Sequence, residues 1–136
     1  MLAMSAPIDW PALFQAAERA RQAAHAPYSK FKVGAAILTQ SGAVVPGTNV
    51  ENASYGLTVC AERNAIGRMV VDAQRPRAVA IVVDSRTPTP PCGMCRQVLR
   101  EFGDPAMEVR SRTVSGQEAK WTLGELLPFA FTANDL

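Results

Sequence analysis

Two short stretches hold all three cysteines of this chain. Residues 58–63 read Thr-Val-Cys-Ala-Glu-Arg, and residues 91–96 read Pro-Cys-Gly-Met-Cys-Arg. In the first stretch a glutamate follows the cysteine two places later, and in the second the two cysteines form a C-x-x-C pair directly after a proline. Thiolates are soft ligands that suit zinc, and three of them leave one position of a tetrahedral ion open. An open position, filled by water, distinguishes a catalytic zinc site from a structural one.

The glutamate of the first stretch, Glu62, is the second component of this predicted site. It lies close enough to Cys60 in sequence to stand beside the metal and carry protons without being a ligand. Cys60 and Cys92 both fall at predicted helix starts, where backbone N–H groups and the helix dipole favour a thiolate. The pattern therefore predicts a zinc hydrolase site with Cys60, Cys92 and Cys95 as ligands.

These motifs resemble those of the short-chain cytidine deaminases, zinc enzymes of the cytidine and deoxycytidylate deaminase superfamily that act on free nucleosides. The resemblance includes residues 28–36 (Tyr-Ser-Lys-Phe-Lys-Val-Gly-Ala-Ala), 49–55 (Asn-Val-Glu-Asn-Ala-Ser-Tyr) and 125–128 (Glu-Leu-Leu-Pro), so it covers nearly the whole chain. It implies one zinc ion per chain. It also implies hydrolytic deamination of cytidine or deoxycytidine to uridine or deoxyuridine plus ammonia, in pyrimidine salvage.

The resemblance also implies roles for individual side chains. Glu62 would carry protons while hydroxide attacks C4 of the cytosine, and Arg63 would offset the negative charge of the thiolates. Asn49 and Glu51, placed at the end of a predicted strand and on one face of it, would bind the ribose 3′-hydroxyl. The residues implied to contact the base are Phe31, the backbone of Ala61, and Phe131.

A pair of phenylalanines, Phe129 and Phe131, stands in the tail after the last predicted helix. Each phenylalanine can bury about 150–250 Å², and a small domain has limited room for both, so burial against another subunit is expected. The resemblance implies a homotetramer in which the phenylalanine matching Phe131 stacks on the base bound by the neighbouring subunit. The alternative is a tail aromatic that packs into the core of its own chain.

Composition limits the function classes. The 136 residues are 48% hydrophobic, which predicts a single domain over residues 1–136 with a substantial core. The net charge is +2 and the basic residues are scattered, unlike the basic stripe of nucleic-acid binders. The cysteine spacing fits a metal better than disulfides and predicts a reducing compartment. Residues 1–7 do not form a signal peptide, and no apolar run could span a membrane. We therefore expect a cytoplasmic protein with a small-molecule substrate and no nucleic-acid or membrane partner.

The hydrophobic pattern predicts an α/β fold with three α-β-α layers and a five-stranded mixed sheet. Residues 111–116 are too few for a parallel crossover, so the last two strands should pair antiparallel. Deaminases that act on nucleic acid resemble this fold but usually insert a helix at this connection. The absence of that helix here favours the branch of the family that acts on free nucleosides. The predicted elements are a helix capped by Asp9 and ended by Pro27, strands at 31–38 and 43–48, a helix at 60–71, a central strand at 78–83, a helix at 92–102, edge strands at 107–110 and 119–121, and a short helix at 123–127.

Two alternatives remain open. A structural zinc module would close the fourth position, and His25, the only histidine, could complete a Cys₃His cage, although it has no ligand-like spacing to any cysteine. Among enzymes, a deaminase of a cytosine-bearing antibiotic of the blasticidin type would share the zinc motifs. The Asn49–Glu51 pair favours a substrate with a true ribose and therefore a nucleoside.

Overall fold

The computed structural model describes residues 6–136, so most of the segment 1–7, which is not expected to be a signal peptide, lies outside the described residues. All nine predicted elements are present in the predicted order. No helix of the described part is long and apolar enough to cross a membrane. In chain order the elements are α1 (Trp10–Gln22), β1 (Val33–Thr39), β2 (Val44–Thr48), α2 (Ala61–Val71), β3 (Pro76–Val83), α3 (Gly93–Phe102), β4 (Glu108–Thr113), β5 (Glu118–Thr122) and α4 (Leu123–Leu126), with 3₁₀ turns at Tyr55–Leu57 and Ala133–Asp135.

The five strands form one mixed sheet in the order β2-β1-β3-β4-β5. β1 pairs antiparallel with β2 and with β3, β3 pairs parallel with β4, and β4 pairs antiparallel with β5. The antiparallel pairing of the last two strands was predicted and is confirmed. The prediction that residues 107–110 form an edge strand is wrong, because β4 lies between β3 and β5. Its alternating burial reflects one covered face, and not an unpaired edge.

Helices cover both faces of the sheet, which confirms the three layers. On one face, Trp10 and Phe14 of α1 pack against small residues of the strands, including Ala36 and Ala80. On the other face, α2 and α3 cover a larger core. The buried residues of that core are Ile37, Val45, Ala65, Ile66, Met69, Val79, Ile81, Val83, Leu99, Met107, Val109, Leu123 and Leu126.

The bounds of α1 differ from the prediction at one end only. Asp9 caps the N-terminus as expected, with its carboxylate accepting a backbone hydrogen bond. The helix ends at Gln22, however, and not at Pro27. His25 already pairs as a parallel bridge with Val50, so the chain has left the helix before the proline is reached.

β1 begins at Val33, two residues later than predicted, because the preceding segment forms a turn. The N–H of Lys30 donates to the carbonyl of Ala26 at 3.0 Å, and Lys30 adopts a left-handed φ of 62°. This conformation is uncommon for a residue with a side chain. The turn places Phe31 outside the sheet with 39% of its surface exposed.

Two glycines allow helices to approach the sheet closely. A Cβ at Gly34 would lie 1.8 Å from the carbonyl oxygen of Ala17 in α1. A Cβ at Gly47 would lie 2.4 Å from the carbonyl oxygen of Ala61, the first residue of α2. Only glycine fits at such backbone approaches. The start of α2 is therefore fixed against β2 by direct backbone contact.

Candidate active site

Three thiols meet where two helices begin. Cys60 is the N-cap of α2, Cys92 is the N-cap of α3, and Cys95 lies in the first turn of α3. The sulfur of Cys92 lies 3.7 Å from that of Cys60 and 3.5 Å from that of Cys95, and all three sulfurs lie within 4.8 Å of one another. Thiolates on a tetrahedral zinc at about 2.3 Å have sulfurs about 3.8 Å apart. The donor set and its spacing therefore fit zinc.

The thiols also have the electrostatics of a cation site. A hydrogen bond from Cys95 lowers the pKa of Cys60 to about 5, against the opposing effect of burial, and Arg63 acts in the same direction as Cys95. The same hydrogen bond to Cys60, together with burial, raises the pKa of Cys95. One thiolate thus forms readily, and a second negative charge beside it requires a cation. The guanidinium of Arg63 lies 3.6 Å from the sulfur of Cys60.

Glu62 stands beside the thiols in the first turn of α2 and is only 4% exposed. Burial raises the pKa of its carboxyl to about 7, and the neighbouring Cys60 thiolate also raises it, whereas Arg63 lowers it. A carboxyl with a pKa near neutrality can both accept and release a proton at physiological pH. Perturbed groups of this kind concentrate at functional sites.

A cavity of about 240 Å³ connects these reactive groups with the loops before β1 and after β2. It contains most of the side chains that the sequence singled out. Two of the sequence-predicted residues near the thiols do not line it: Cys95, the buried member of the thiol cluster, and Arg63, which contacts the Cys60 sulfur. The predicted residues that line the cavity are Phe31, Asn49, Glu51, Cys60, Ala61, Glu62 and Cys92.

At the open end of the cavity, Asn49 and Glu51 follow β2, which ends at Thr48, so the prediction that they end a strand is wrong by a few residues. The buried side chain of Asn49 accepts a hydrogen bond from the N–H of Val33 at 2.9 Å and donates one to the carbonyl of Phe31 at 2.7 Å. The pair lines one cavity although it shares no strand, because the backbone of both residues is hydrogen-bonded to that of His25, just before the loop that precedes β1.

Two residues considered for the site lie elsewhere. Phe131 does not line the cavity of its own chain. It is 60% exposed, and its carbonyl accepts a hydrogen bond from the side chain of Gln97. His25 is not part of the thiol group, which is the only potential metal-binding group among the described residues. His25 therefore does not close a Cys₃His cage within the chain.

Several lining residues were not among the predicted site residues. Ser29 belongs to the 28–36 stretch that carried the resemblance, and Thr89 and Pro90 precede the C-x-x-C pair, so proximity to motifs was their only sequence signal. Ile81 and Val83 belong to a strand that is apolar from Ala78 onward, and nothing in this run indicates which end reaches a cavity. The lining residues in question are Ser29, Val33, Thr58, Ile81, Val83, Thr89 and Pro90.

Comparison with known proteins agrees with this geometry. The profile of the cytidine and deoxycytidylate deaminase zinc-binding region matches residues 10–110. A cytidine deaminase from Halalkalibacterium halodurans is 45% identical over 130 residues, which are 95% of this chain and 98% of that protein. A blasticidin-S deaminase from Bacillus cereus is 30% identical over 115 residues, 78% of this chain and 81% of that protein.

Solved structures give the same relationship. The crystal structure of a cytidine deaminase from Burkholderia pseudomallei superimposes with a TM-score of 0.87 at 47% identity, covering 91% of this chain and 100% of that one. The crystal structure of cytidine deaminase from Mycobacterium tuberculosis superimposes with a TM-score of 0.79 at 40% identity, covering 92% of this chain and 98% of that one. The chain belongs to the cytidine and deoxycytidylate deaminase zinc-binding family.

Proposed function

We propose that this protein is a zinc-dependent cytidine deaminase that converts cytidine or deoxycytidine and water into uridine or deoxyuridine and ammonia. The observation that carries the proposal is a cluster of three thiols at the closed end of one cavity, which Cys60, Cys92 and the buried Glu62 line. The relatives named as cytidine deaminases, at 45% and 42% identity over 130 residues each, support the same reaction.

The zinc ion would be held by Cys60, Cys92 and Cys95, one ion per chain, and would supply Lewis-acid activation of water at neutral pH. Three thiolates on Zn²⁺ have a net charge of −1. Arg63 offsets this charge, because its guanidinium contacts the Cys60 sulfur and its own pKa is raised chiefly by that hydrogen bond.

Glu62 is the proton carrier of the proposed reaction. Its carboxylate accepts one proton of the water that attacks C4 and delivers it to N3 of the ring. It then takes the proton of the new C4 hydroxyl and delivers it to the amino group, which leaves as ammonia as the C4 carbonyl forms. Burial favours the protonated carboxyl and so allows Glu62 to hold the proton between these transfers. The side chain is fixed at the start of α2, within reach of both the thiols and the cavity.

The rest of the cavity would bind the nucleoside. Phe31 contacts the pyrimidine ring, and the backbone of Ala61 hydrogen-bonds to the base. Glu51 accepts a hydrogen bond from the ribose 3′-hydroxyl, and Asn49 uses the second N–H of its amide, which its bond to Phe31 leaves free. Glu51 is the one ionisable group on this part of the lining, which suits a neutral sugar.

A homotetramer with shared active sites completes the proposal. Phe129 and Phe131 are 104% and 60% exposed in the single chain, so neither packs into its own core. Tyr55 and Leu57, near the mouth of the cavity, are exposed as well. Large exposed apolar groups of this kind mark association surfaces. Phe131 would stack on the base that is bound in the next subunit.

Mixing two impaired variants tests whether each active site is built from two subunits. Phe131→Ala chains keep Glu62, and Glu62→Ala chains keep Phe131, so each pure variant should be impaired. Co-folded assemblies should contain some sites with both groups intact, and their activity should exceed that of either parent. Activity equal to the dilution-weighted average of the two variants would show that Phe131 acts within its own chain or not at all.

A second candidate function is deamination of a blasticidin-type antibiotic. It is supported by the blasticidin-S deaminase of Bacillus cereus, which is 30% identical to this chain. A panel assay of ammonia release decides between the two, with cytidine, deoxycytidine, cytosine, CMP, adenosine and blasticidin S as substrates. We expect turnover of the two cytosine nucleosides. Turnover of blasticidin S alone would support the second candidate, and no turnover of any compound would contradict both.

The proposed cellular role is pyrimidine salvage in the cytoplasm. Zinc binding requires Cys60, Cys92 and Cys95 as reduced thiols, and the cytoplasm keeps thiols reduced. All three are free cysteines in the structure. Metal content and thiol titration of protein isolated from its native host would test this location.

A further inference from the structure

The carboxylate of Glu51 is already extensively hydrogen-bonded by the chain itself. Its Oε1 accepts the backbone N–H of Tyr28 at 3.0 Å and that of Ser29 at 3.2 Å. Its Oε2 accepts the hydroxyl of Ser29. A carboxylate offers about four lone-pair sites, two on each oxygen. Three are therefore occupied, and the remaining acceptor site belongs to Oε2, the oxygen that the Ser29 hydroxyl holds.

The hydroxyl of Ser29 makes a second contact. It accepts the backbone N–H of Phe31 at 3.0 Å while it donates to Glu51. The carbonyl of Phe31 is in turn held by the side-chain amide of Asn49. Both backbone groups of Phe31 are thus bound by side chains from the open end of the cavity, and Ser29 is the residue that joins Phe31 to Glu51.

We propose that Ser29 is a positioning residue for substrate binding, whose hydroxyl orients Oε2 of Glu51 so that its one free acceptor site faces the ribose. The inference rests on the proposed function and adds a residue that does not itself contact the reacting atoms. Ser29 is the only side chain that donates to Glu51 among residues 6–136. The bond lies at an exposed rim, and the backbone donors hold only the other oxygen, Oε1.

The electrostatics agree with this arrangement. The pKa of Glu51 is lowered chiefly by the hydroxyl of Ser29, and the backbone N–H groups of Ser29 and Tyr28 act in the same direction. The carboxyl therefore stays ionised, and an ionised carboxylate is a stronger acceptor for a sugar hydroxyl than a protonated one. The turn that presents these donors depends on the left-handed conformation of Lys30.

The test compares two substrates that differ by one hydroxyl. Cytidine and 3′-deoxycytidine are assayed with the wild type, Ser29→Ala and Ser29→Thr, all loaded with zinc. Ser29→Ala should lower kcat/KM for cytidine about tenfold, because one hydrogen bond to a charged group usually contributes a factor of this size. It should change kcat/KM for 3′-deoxycytidine by less than about twofold, because that substrate makes no bond to Glu51. Ser29→Thr keeps a hydroxyl and should restore most of the activity on cytidine.

A double variant provides the control. In a Glu51→Ala background, Ser29→Ala should have almost no further effect on cytidine, because the carboxylate that it orients is gone. Equal losses on the two substrates, or an undiminished loss in the Glu51→Ala background, would reduce Ser29 to a general support of the loop and overturn the inference. A wild type that does not distinguish the substrates would overturn it as well. Absence of cytidine turnover in the wild type would instead contradict the proposed function itself.

Discussion

The closed and open ends of the cavity are built in different ways. At the closed end, Cys60 and Cys92 cap two helices and Glu62 is buried in the first turn of one of them. At the open end, Ser29 lies in a turn and Phe31 follows it. Both are exposed, and they are held by hydrogen bonds that involve side chains. The groups proposed to react thus lie on packed secondary structure, and the groups proposed to bind the substrate lie on loops.

This difference predicts how each end responds to substitution. A buried group on a helix start has fixed geometry, so its removal should abolish chemistry while the fold persists. A group at the exposed rim contributes through one or two solvent-accessible hydrogen bonds, and its removal should cost a modest factor. Each of the following experiments tests one end of the cavity, and their results together test the difference.

The largest effect is expected at the closed end, for Glu62→Gln. Glutamine preserves the shape of the side chain but cannot carry a proton, so kcat should fall about 10²–10⁴-fold. Zinc content and thermal stability should be retained. Glu118→Gln, a change at an exposed ion pair on β5, is the matched control and should leave kcat unchanged. Near-normal kcat in Glu62→Gln would remove the proton-carrying role.

A smaller effect is expected when the close contact between Gly47 and the start of α2 is disturbed. Gly47→Ala forces a Cβ to within 2.4 Å of the Ala61 carbonyl, and overpacking of this kind costs about 1–3 kcal/mol. Urea unfolding should show this loss together with weaker zinc retention. Gly67→Ala is the control, because a Cβ there meets nothing within 4 Å and alanine favours the helix. That variant should be as stable as the wild type or slightly more stable. Equal stability of both variants would mean that the start of α2 is not fixed by this contact.

The smallest effect is expected at the open end and depends on pH. Hydrogen bonds from Ser29 and Tyr28 lower the pKa of Glu51 in the folded protein, so the ionised carboxylate stabilises the fold at neutral pH. This contribution is present above the unfolded pKa of about 4.3 and is lost as the pH falls through the lower folded value. Urea midpoints of the wild type and Glu51→Gln, both freed of metal, should differ slightly at pH 7 and converge as the pH falls through the folded pKa of Glu51. A difference that grows on acidification would contradict the assignment.

The sequence predicted the closed end well, because metal chemistry requires particular residue types at short spacing. The ligand set and Glu62 follow from two stretches of six residues each, and helix starts place them. The open end was harder to predict. The bond between Ser29 and Glu51 joins residues 22 positions apart and depends on a turn in which Lys30 is left-handed. No local pattern reports such a contact.

The fold shows a similar division. The order of the elements followed from hydrophobic periodicity, and the antiparallel pairing of the last two strands followed from the length of their loop. The position of β4 inside the sheet depends instead on its pairing with β3, from which it is separated in sequence by α3. The end of α1 at Gln22 depends on the bridge between His25 and Val50, which is also a long-range contact. The assignment of residues 1–136 to a single domain stays a prediction.

The central claim is that one zinc ion, held by Cys60, Cys92 and Cys95 beside Glu62, is required for deamination of cytidine. Titration of Zn²⁺ into metal-free protein, followed by ammonia release from cytidine, tests it most directly. Activity should be absent at the start, rise in proportion to added zinc, and reach its plateau at one ion per chain. Full activity without zinc, or no activity once one ion per chain is bound, would contradict the account.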